Sequence, residues 1–536
     1  MVAASYKKYL TMKNKFFIAV VACACLGTLT SCESWLDEEV RSSLTAPDYY
    51  KTSLQIQENA TSLYRRGAPN QLTGAGSAYM GPISTLPGML TGYFRNEYDG
   101  QERTCAYARE LTRQEQTNTV SGSFENFYYS CYQAINISNG ILSSADNVDM
   151  TTDARNTAKG EAYFFRAFNY FTLVKYFGGV PLLITPTSDD PTTYQVAKSD
   201  VSAIYAQIES DLKEAVNLLP AKKFYENGNR VGKYAAAMLL TSVYMQEGKY
   251  SEAATSVKTV LNSGHKLTEN INTTDQSAYN QLRSTDGLDE VIYAYEYNAT
   301  ISTSGWWPSY AFSGADGLLS TYSICRRIYG PSSRFLNIYD ANDLRVQPNQ
   351  FFHWQFSYTN KKGEVKSWSD TEPGCWYFYD EEACMTTGQG TKDQNFFRYS
   401  EALLDAAEAI VQSGGAVTDE AAGYLAQVQV RANGKTLDAT KTALKALSKD
   451  DFIHTCWTER LREFPLEFKI WDDCLRTKMF PNVSADTKGK VDYVNLIGAT
   501  NGAGATFKQT DLVWPFPLNE LQRNGKLVQN EGYAKE

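Results

Sequence analysis

Residues 233–261 read KYAAAMLLTSVYMQEGKYSEAATSVKTVL, and this stretch indicates how the chain folds. Small and apolar residues on both sides of Gly248-Lys249-Tyr250 predict two helices that meet at a glycine turn. Glycine favours this position because it adopts a left-handed backbone without steric cost. We expect Ser251 to cap the second helix. Alanines in both segments allow two antiparallel helices to approach closely, so the segments are predicted to pack as a pair.

Two further segments upstream have helical patterns. Residues 158–177, AKGEAYFFRAFNYFTLVKYF, are apolar nearly all round, which predicts a buried helix that Gly178 and Gly179 end. Residues 199–219 show a cleaner amphipathic pattern, and Pro220 stops it. The fold class is therefore predicted to be mostly α.

The downstream part of the chain returns to helix. Residues 399–431 repeat the 233–261 pattern in a weaker form, with paired glycines at the turn. Another helical region follows the capping-box spacing that begins at Ser448, and Pro465 should break it. The glycine turn, the aromatic residue after it and the paired alanines resemble a tetratricopeptide repeat. We therefore predict tetratricopeptide-like helix pairs in a short solenoid or bundle.

Residues 266–395 differ from the helical remainder of the chain. Glycine, serine, threonine, asparagine and aromatic residues dominate, and only 291–297 and 351–358 alternate enough to predict short strands. Loops this long are unusual unless they carry function. We predict a loop-rich ligand-binding lobe at 266–395 that carries a few short strands. The glycine- and proline-rich stretch 67–102 is expected to contribute to the same surface.

Aromatic and polar side chains close together select candidate ligand-binding residues within these two stretches. An aromatic plane packs on an apolar ligand face, and amide, carboxylate or guanidinium groups bind ligand hydroxyls. The adjacent Trp306 and Trp307 lie between Gly305 and Pro308 and are difficult to bury together, so they are expected to offer an indole to ligand. The predicted ligand-binding residues are Trp306, Trp307, Tyr310, Trp354, Tyr93, Arg95 and Asn96.

Composition excludes several classes of protein. The 536 residues carry 60 acidic and 51 basic side chains, and no nucleic-acid partner is predicted because phosphate binding needs a basic face. Three histidines and the lack of an EF-hand spacing predict no metal site, and we expect no cofactor. Neither the G-x-S-x-G nor the H-E-x-x-H motif occurs, which argues against a hydrolase.

The N-terminus has the layout of a secretory signal followed by an anchor. Residues 16–26 are an apolar run behind a short basic region, and the run is too short to span a membrane. Leu-Thr-Ser-Cys at 29–32 resembles the lipobox of bacterial lipoproteins, whose cysteine receives a diacylglycerol. We therefore predict a lipoprotein signal peptide at 1–31, with Met12 as the true start. Cys32 is the predicted lipidation site, and acyl chains such as palmitate would make the anchor stable.

The ordered set of segments resembles the SusD/RagB family of outer-membrane nutrient-uptake lipoproteins. The matching blocks are the lipobox, EAYFFRA at 161–167 running to GGVPL at 178–182, RVGK at 230–233 with the turn at 248–250, RYSE at 398–401 with Arg431 downstream, ERLRE at 459–463 through Arg476, and PFP at 515–517 with QNEGY at 529–533. The chain departs from the family at Pro465, Phe468 and Ile470, where the family usually shows a small residue, a glycine and a basic residue.

The resemblance implies a surface-exposed glycan-binding lipoprotein of the cell outer membrane. Such a protein captures oligosaccharides, delivers them to a SusC-like TonB-dependent barrel, and binds without catalysis. The resemblance also implies a SusD-like N-terminal helical part at 32–265 and a RagB/SusD C-terminal part at 266–536. Two alternatives remain open. One is a peptide-uptake lipoprotein of the same fold, and the other is a surface-anchored glycoside hydrolase, which needs paired carboxylates such as those at 380–382.

The charged residues inside the matching blocks are expected to be structural. Glu161, Arg166, Glu459 and Arg460 lie on predicted helices. A buried charge is tolerated only with a partner, so these four side chains are predicted to form buried or half-buried ion pairs.

Overall fold

The computed structural model describes residues 49–73, 85–96, 103–187, 195–298, 300, 305–312, 327–360 and 362–534. The predicted signal peptide at 1–31, its Met12 start and the lipidation site Cys32 lie outside the described residues. From Tyr50 onward the described chain is one compact unit.

Helices form most of the described chain, as the sequence predicts. The longer helices are Ser53–Ser62, Gly67–Thr73, Arg103–Arg109, Thr117–Ser144, Thr152–Phe177, Val201–Leu218, Lys233–Glu247, Tyr250–Leu261, Ala278–Ser284, Tyr399–Gly414, Asp419–Asn433, Leu437–Lys445, Lys449–Glu463, Ile470–Thr477 and Leu518–Arg523. Short helical turns occur at Leu86–Met89, Trp307–Tyr310, Ser333–Leu336 and Glu381–Met385. Among these helices, none combines the length and the hydropathy that crossing a bilayer requires.

The helices pack as successive neighbours along the chain. Thr152–Phe177, which is buried along most of its length, contacts the Val201–Leu218 helix after it. Lys233–Glu247 then pairs with Tyr250–Leu261, and that helix contacts Tyr399–Gly414, the first helix of the weaker repeat. The two predicted helix pairs therefore stack directly on each other, which confirms the tetratricopeptide-like arrangement.

Local signals at the helix ends account for these boundaries. Gly248 adopts the left-handed backbone (φ 72°) that ends the first helix of the pair. The second helix begins at Tyr250 after Lys249, which makes no side-chain cap, so the prediction that Ser251 caps this helix is wrong. The Ser448 side chain accepts a hydrogen bond from the Asp451 amide (3.1 Å), as predicted.

Eight short strands form four two-stranded antiparallel sheets within the described ranges. The pairs are β1 (Phe94–Arg95) with β3 (Gly330–Pro331), β2 (Val291–Tyr295) with β6 (Gln394–Arg398), β4 (Phe352–Thr359) with β5 (Val365–Cys375), and β7 (Met479–Val483) with β8 (Val491–Asn495). Strands β2 and β4 confirm the two predicted in the lobe. Strand β6 runs directly into the Tyr399–Gly414 helix, so this sheet joins the lobe to the helical part.

Buried charges cross the same junction between lobe and helices. Arg398, at the end of β6, binds Glu290 (2.6 Å) and Glu463 (3.0 Å). Arg431, in the Asp419–Asn433 helix, binds the same two glutamates (2.6 and 2.5 Å). We call this group, with Arg345 and the carboxylates Asp343 and Glu459 that it binds, the charge network. All of its members are buried, so each charge depends on its partners.

Glu161, Arg166, Glu459 and Arg460 are buried and paired, as predicted. The pairs are Glu161 with Arg230 (2.5 Å), Arg166 with Asp211 (2.6 Å), Glu459 with Arg345 (2.6 Å) and Arg460 with Asp405 (2.5 Å). Each pair joins two different elements of the fold.

The pKa of Glu290 shows how strongly the charge network stabilises an ionised carboxylate. Burial alone would raise the pKa of this carboxyl, but the guanidiniums of Arg431 and Arg398 outweigh burial and lower the pKa to about 2. A carboxyl whose folded pKa lies below its unfolded value stabilises the fold above the unfolded pKa. That stabilisation is lost as the pH falls through the folded pKa.

Replacing Glu290 tests the network. Glu290→Gln should lower the free energy of unfolding at pH 7 by about 3–5 kcal/mol, because it removes one of the two buried carboxylates that Arg398 and Arg431 share. The deficit should shrink as the pH falls from about 4.3, the unfolded pKa of glutamate, towards 2. Urea denaturation at pH 7, 4 and 3 measures both effects. Glu364→Gln, at an exposed glutamate paired with Lys366, is the control and should leave the pH 7 midpoint unchanged. An equal deficit at every pH would contradict the prediction.

Candidate functional site

The candidate site is a cavity of about 400 Å³ where the lobe meets the turn after the Lys449–Glu463 helix. We call it the lobe pocket. Its walls come from residues within 282–286, 305–308, 377–381, 390–395 and 466–468, together with Tyr297. Segments far apart in sequence therefore converge on one concave surface, and its volume lies in the range of roughly 300–1,000 Å³ usual for small-molecule sites.

Three rings form an aromatic wall in the lobe pocket. The indole of Trp307 packs against Phe378 (centroids 5.1 Å apart, planes at 19°) and Phe468 (5.0 Å, 29°). The two phenyl rings lie 6.4 Å apart and are nearly parallel, at 10°. Trp307 is only 6% exposed, and its Nε1 donates a hydrogen bond to Oε1 of Gln394 (3.1 Å). Phe378 and Phe468 are half-buried, so the phenyl rings are the part of the wall that a ligand can reach.

A glycine pair holds Trp307 in place. The amide of Gly305 donates to the carbonyl of Gly390 (2.8 Å), and the amide of Gly390 donates to the carbonyl of Gly305 (3.0 Å). A Cβ at position 390 would come within 2.9 Å of Pro308 and of the Asp380 carboxylate, so the close approach requires glycine. Pro308 lies in the first turn of the Trp307–Tyr310 helix, where its fixed φ suits helix initiation.

The turn that carries Phe468 is strained and is held on both sides. Phe468 has a left-handed backbone (φ 62°), which costs a non-glycine residue about 1–2 kcal/mol. Before it, the Glu467 carboxylate binds Arg398 of the charge network (2.7 Å). After it, the Lys469 ammonium donates to the carbonyl of Phe396 in β6 (2.8 Å) and pairs with Glu401. These flanking contacts impose the backbone conformation that brings the phenyl ring to the pocket.

The charged groups of the lobe pocket are mainly acidic. Asp393 is buried, and its carboxylate accepts hydrogen bonds from the Tyr297 amide (2.9 Å) and the Tyr225 hydroxyl (3.0 Å). Burial, and then the charge of Asp286, raise the pKa of Asp393 to about 6. Asp286 itself pairs with Lys392 (2.7 Å). The remaining charged lining residues are Asp380, Glu381, Glu467 and Arg283. In the part of the chain that the structure describes, no group of three or more His, Cys, Asp or Glu residues could hold a metal ion.

Two of the residues predicted to bind ligand belong to the interior instead. Tyr93 is 1% exposed, its ring stacks on Phe480 (5.6 Å), and its hydroxyl donates to the carbonyl of Pro481 (2.8 Å). Asn96, just after β1, is also buried. Because neither side chain faces solvent, the sequence-based assignment of both to the ligand-binding surface is corrected here to a packing role.

The other predicted residues differ in their relation to the lobe pocket. Trp307 lines it, and Trp306 is half-buried against the same aromatic cluster. Trp354 and Arg95 both lie outside the pocket lining. Trp354 is half-buried on β4, and Arg95 is exposed and paired with Glu372. Tyr310 ends the short Trp307–Tyr310 helix, and its side chain lies outside the described residues.

Sequence reasoning does not single out Phe378, Phe468, Asp286 or Asp393. Phe378 is one of many aromatic residues in the lobe, and nothing local distinguishes it. For Phe468 a signal exists, because it replaces the glycine that the family resemblance leads one to expect. The two aspartates carry no motif, and they become notable only when folding brings them together.

Asp393 should give the unfolding free energy a specific pH dependence. A group whose pKa is raised on folding contributes stability below its unfolded pKa, about 3.9, and loses it as the pH rises through 6. Wild type should therefore lose about 2–3 kcal/mol relative to Asp393→Asn between pH 4 and pH 7. Denaturation of both proteins at pH 4, 5.5 and 7 measures the difference. Asp438→Asn, at an exposed helix position, should follow wild type. Parallel curves for Asp393→Asn and wild type would refute the assignment.

Comparison with known proteins places the chain in one group. Residues 84–245 match a family model described as starch-binding associating with outer membrane, and residues 220–533 match the model of the SusD family. A SusD-like protein of Formosa agariphila is 26% identical over 524 residues, which cover 95% of this chain and 98% of the relative.

Solved structures share the fold at lower identity. A SusD superfamily protein of Parabacteroides distasonis superposes with a TM-score of 0.72 at 23% identity, covering 89% of this chain and 99% of that one. Surface glycan-binding protein A of Bacteroides thetaiotaomicron, solved with laminarihexaose, gives 0.65 at 17% identity, covering 90% and 100%. Since the SusD model alone matches more than half of the chain, the chain belongs to the SusD family.

Proposed function

We propose that the protein is a surface-exposed glycan-binding lipoprotein that captures oligosaccharides in the lobe pocket and delivers them to a SusC-like TonB-dependent barrel. The observation that carries this proposal is the pocket itself, in which the reachable rings of Phe378 and Phe468 lie beside carboxylate, amide and ammonium groups. Aromatic faces suit the C–H surface of a sugar, and the polar groups suit its hydroxyls.

The charge of the pocket favours neutral glycans. Asp286, Asp380 and Glu381 lie in the lining, where Lys392 and Arg283 are the cationic residues. Lys392 is already paired with Asp286, and Arg283 donates to the carbonyl of Tyr379 (2.8 Å), so both cations already have partners within the protein. A uronate or a sulfated sugar would meet like charge here, whereas a neutral saccharide would find hydrogen-bond acceptors.

The location and the transport role rest on the family and on the N-terminus. Anchoring at Cys32 follows from the lipobox-like tetrad at 29–32. An acylated cysteine would hold the protein in the outer membrane, facing the exterior, where it would meet glycans before a SusC-like barrel takes them up. The family model matched by 84–245 is described as associating with outer membrane, which supports this setting.

Binding without catalysis is part of the proposal. The carboxylates at 380–382 are the acidic group on which a glycoside hydrolase could draw. Asp380 instead caps the Glu381–Met385 helix, where its side chain accepts a hydrogen bond from the Ala383 amide (2.9 Å). A capping role accounts for this carboxylate and favours a binding function over acid–base chemistry.

A ligand panel tests the proposed function. Purified protein lacking 1–31 should bind at least one neutral hexasaccharide among laminarihexaose, cellohexaose, maltohexaose, xylohexaose and mannohexaose. Its affinity for oligogalacturonate and for a sulfated oligosaccharide should be at least roughly tenfold weaker, because of the acidic lining. Isothermal titration calorimetry measures both, with reducing-end release as the check for hydrolysis. Binding of peptides but of no glycan would favour the peptide-uptake alternative, and tighter binding of uronates would contradict the charge argument.

Phe378 offers a direct test of the aromatic wall. Phe378→Ala should weaken binding of the tightest panel member by roughly tenfold or more, because it removes a stacking face. It is a cleaner test than a change at Trp307, whose buried indole would leave a cavity and lower stability. Tyr129→Ala is the comparison variant, because Tyr129 is 55% exposed on the Thr117–Ser144 helix and lines another cavity, of about 570 Å³. Loss of affinity in Tyr129→Ala with unchanged affinity in Phe378→Ala would place the binding surface in that other cavity.

A further inference from the structure

We infer that Phe468 is a ligand-contacting residue of the lobe pocket, whose ring supplies a stacking face for a neutral saccharide at the expense of backbone strain. The inference deepens the proposed function and rests on it.

The backbone of Phe468 is the first observation. Within the described ranges, the other non-glycine residues with positive φ are Leu111, Asn229, Asn349 and Lys478. Asparagine tolerates this conformation, and Lys478 follows directly after the Ile470–Thr477 helix, where a left-handed residue is usual. A bulky aromatic residue in this region is an outlier. Such outliers persist where the surrounding structure imposes them, and they cluster at ligand sites.

The ring's environment is the second observation. Phe468 packs edge-on against Tyr329 (5.0 Å, 68°) and against the face of Trp307, yet it stays half-buried. It borders the lobe pocket and also a smaller cavity of about 130 Å³ next to it. Phe464, four residues earlier, is 1% exposed and fills the core. The ring of Phe468 therefore borders open space on the side that its packing leaves uncovered.

The two observations together point to ligand contact. Glycine would adopt this backbone without strain, so local structure alone does not call for phenylalanine. Core packing accounts for only part of its surroundings, because Phe468 packs against buried neighbours and yet stays half-buried. What the ring adds is a second flat surface, nearly parallel to the ring of Phe378 (10° between planes) and 6.4 Å from it. Two such faces suit a neutral saccharide with an unbroken C–H face.

Substitutions at position 468 separate the ring from the backbone. Phe468→Gly removes both the ring and the strain, Phe468→Leu keeps apolar bulk and the backbone but removes the aromatic face, and Phe468→Tyr keeps that face. Each variant is titrated calorimetrically with the neutral hexasaccharide that wild type binds most tightly. Phe468→Gly and Phe468→Leu should lose at least tenfold in affinity, whereas Phe468→Tyr should stay within threefold of wild type.

Lys478→Gly is the matched control for strain. It relieves a left-handed residue (φ 58°) that is exposed and outside the pocket lining, so it should leave affinity unchanged. Should Phe468→Gly fail to fold, judged by circular dichroism and thermal melting, Phe468→Leu decides the question. Wild type that binds no saccharide in the panel overturns the proposed function and this inference with it. Wild type that binds, with unchanged affinity in the folded Phe468→Leu variant, overturns this inference alone.

Discussion

The pairing of buried charges is the constraint on which the rest of the structure depends. Arg398 and Arg431 share Glu290 and Glu463, and Arg345 reaches Glu463 from the lobe. An unpaired charge in this interior would cost several kcal/mol, so the lobe and the helix pairs hold one relative position. The charge network therefore fixes the position of the lobe, which has little regular structure of its own, relative to the helical part of the chain.

The shape of the lobe pocket depends on the position that the charge network fixes. Arg398 binds Glu467, and the next residue carries the strained ring that packs on Trp307. The Gly305–Gly390 bridge fixes the other side of the indole. Stacking surfaces bind well only when they are held in place before the ligand arrives, because ordering a mobile ring would consume part of the binding energy. Held on both sides, the aromatic wall is preorganised, which is how this chain presents flat rings from irregular segments.

Much of the fold could be predicted because its signals are local. Helix periodicity, the glycine at 248 and the prolines at 220 and 465 mark element boundaries through backbone sterics alone. The candidate site was harder to predict from the sequence. The sequence predicts that Trp307 offers its indole to ligand and that Tyr93 lies at the surface, but the indole is only 6% exposed and the Tyr93 hydroxyl donates to the carbonyl of Pro481 in the interior. Aromatic residues in a polar loop look alike in sequence, whether they face a ligand or close a core.

The amino-acid sequence by itself determined the helix pairs, the strands at the lobe, the family and the need for buried charges to be paired. The helix pairs and strands depend on neighbouring residues, and the family depends on the overall sequence pattern. The need for charge pairing follows from the cost of desolvating a charge, whatever its partner. Only the tertiary structure decided which partner each charge has, which rings reach the pocket and that Phe468 takes a left-handed backbone. Those outcomes depend on contacts between segments separated by many residues, where small differences in packing decide whether a side chain is covered.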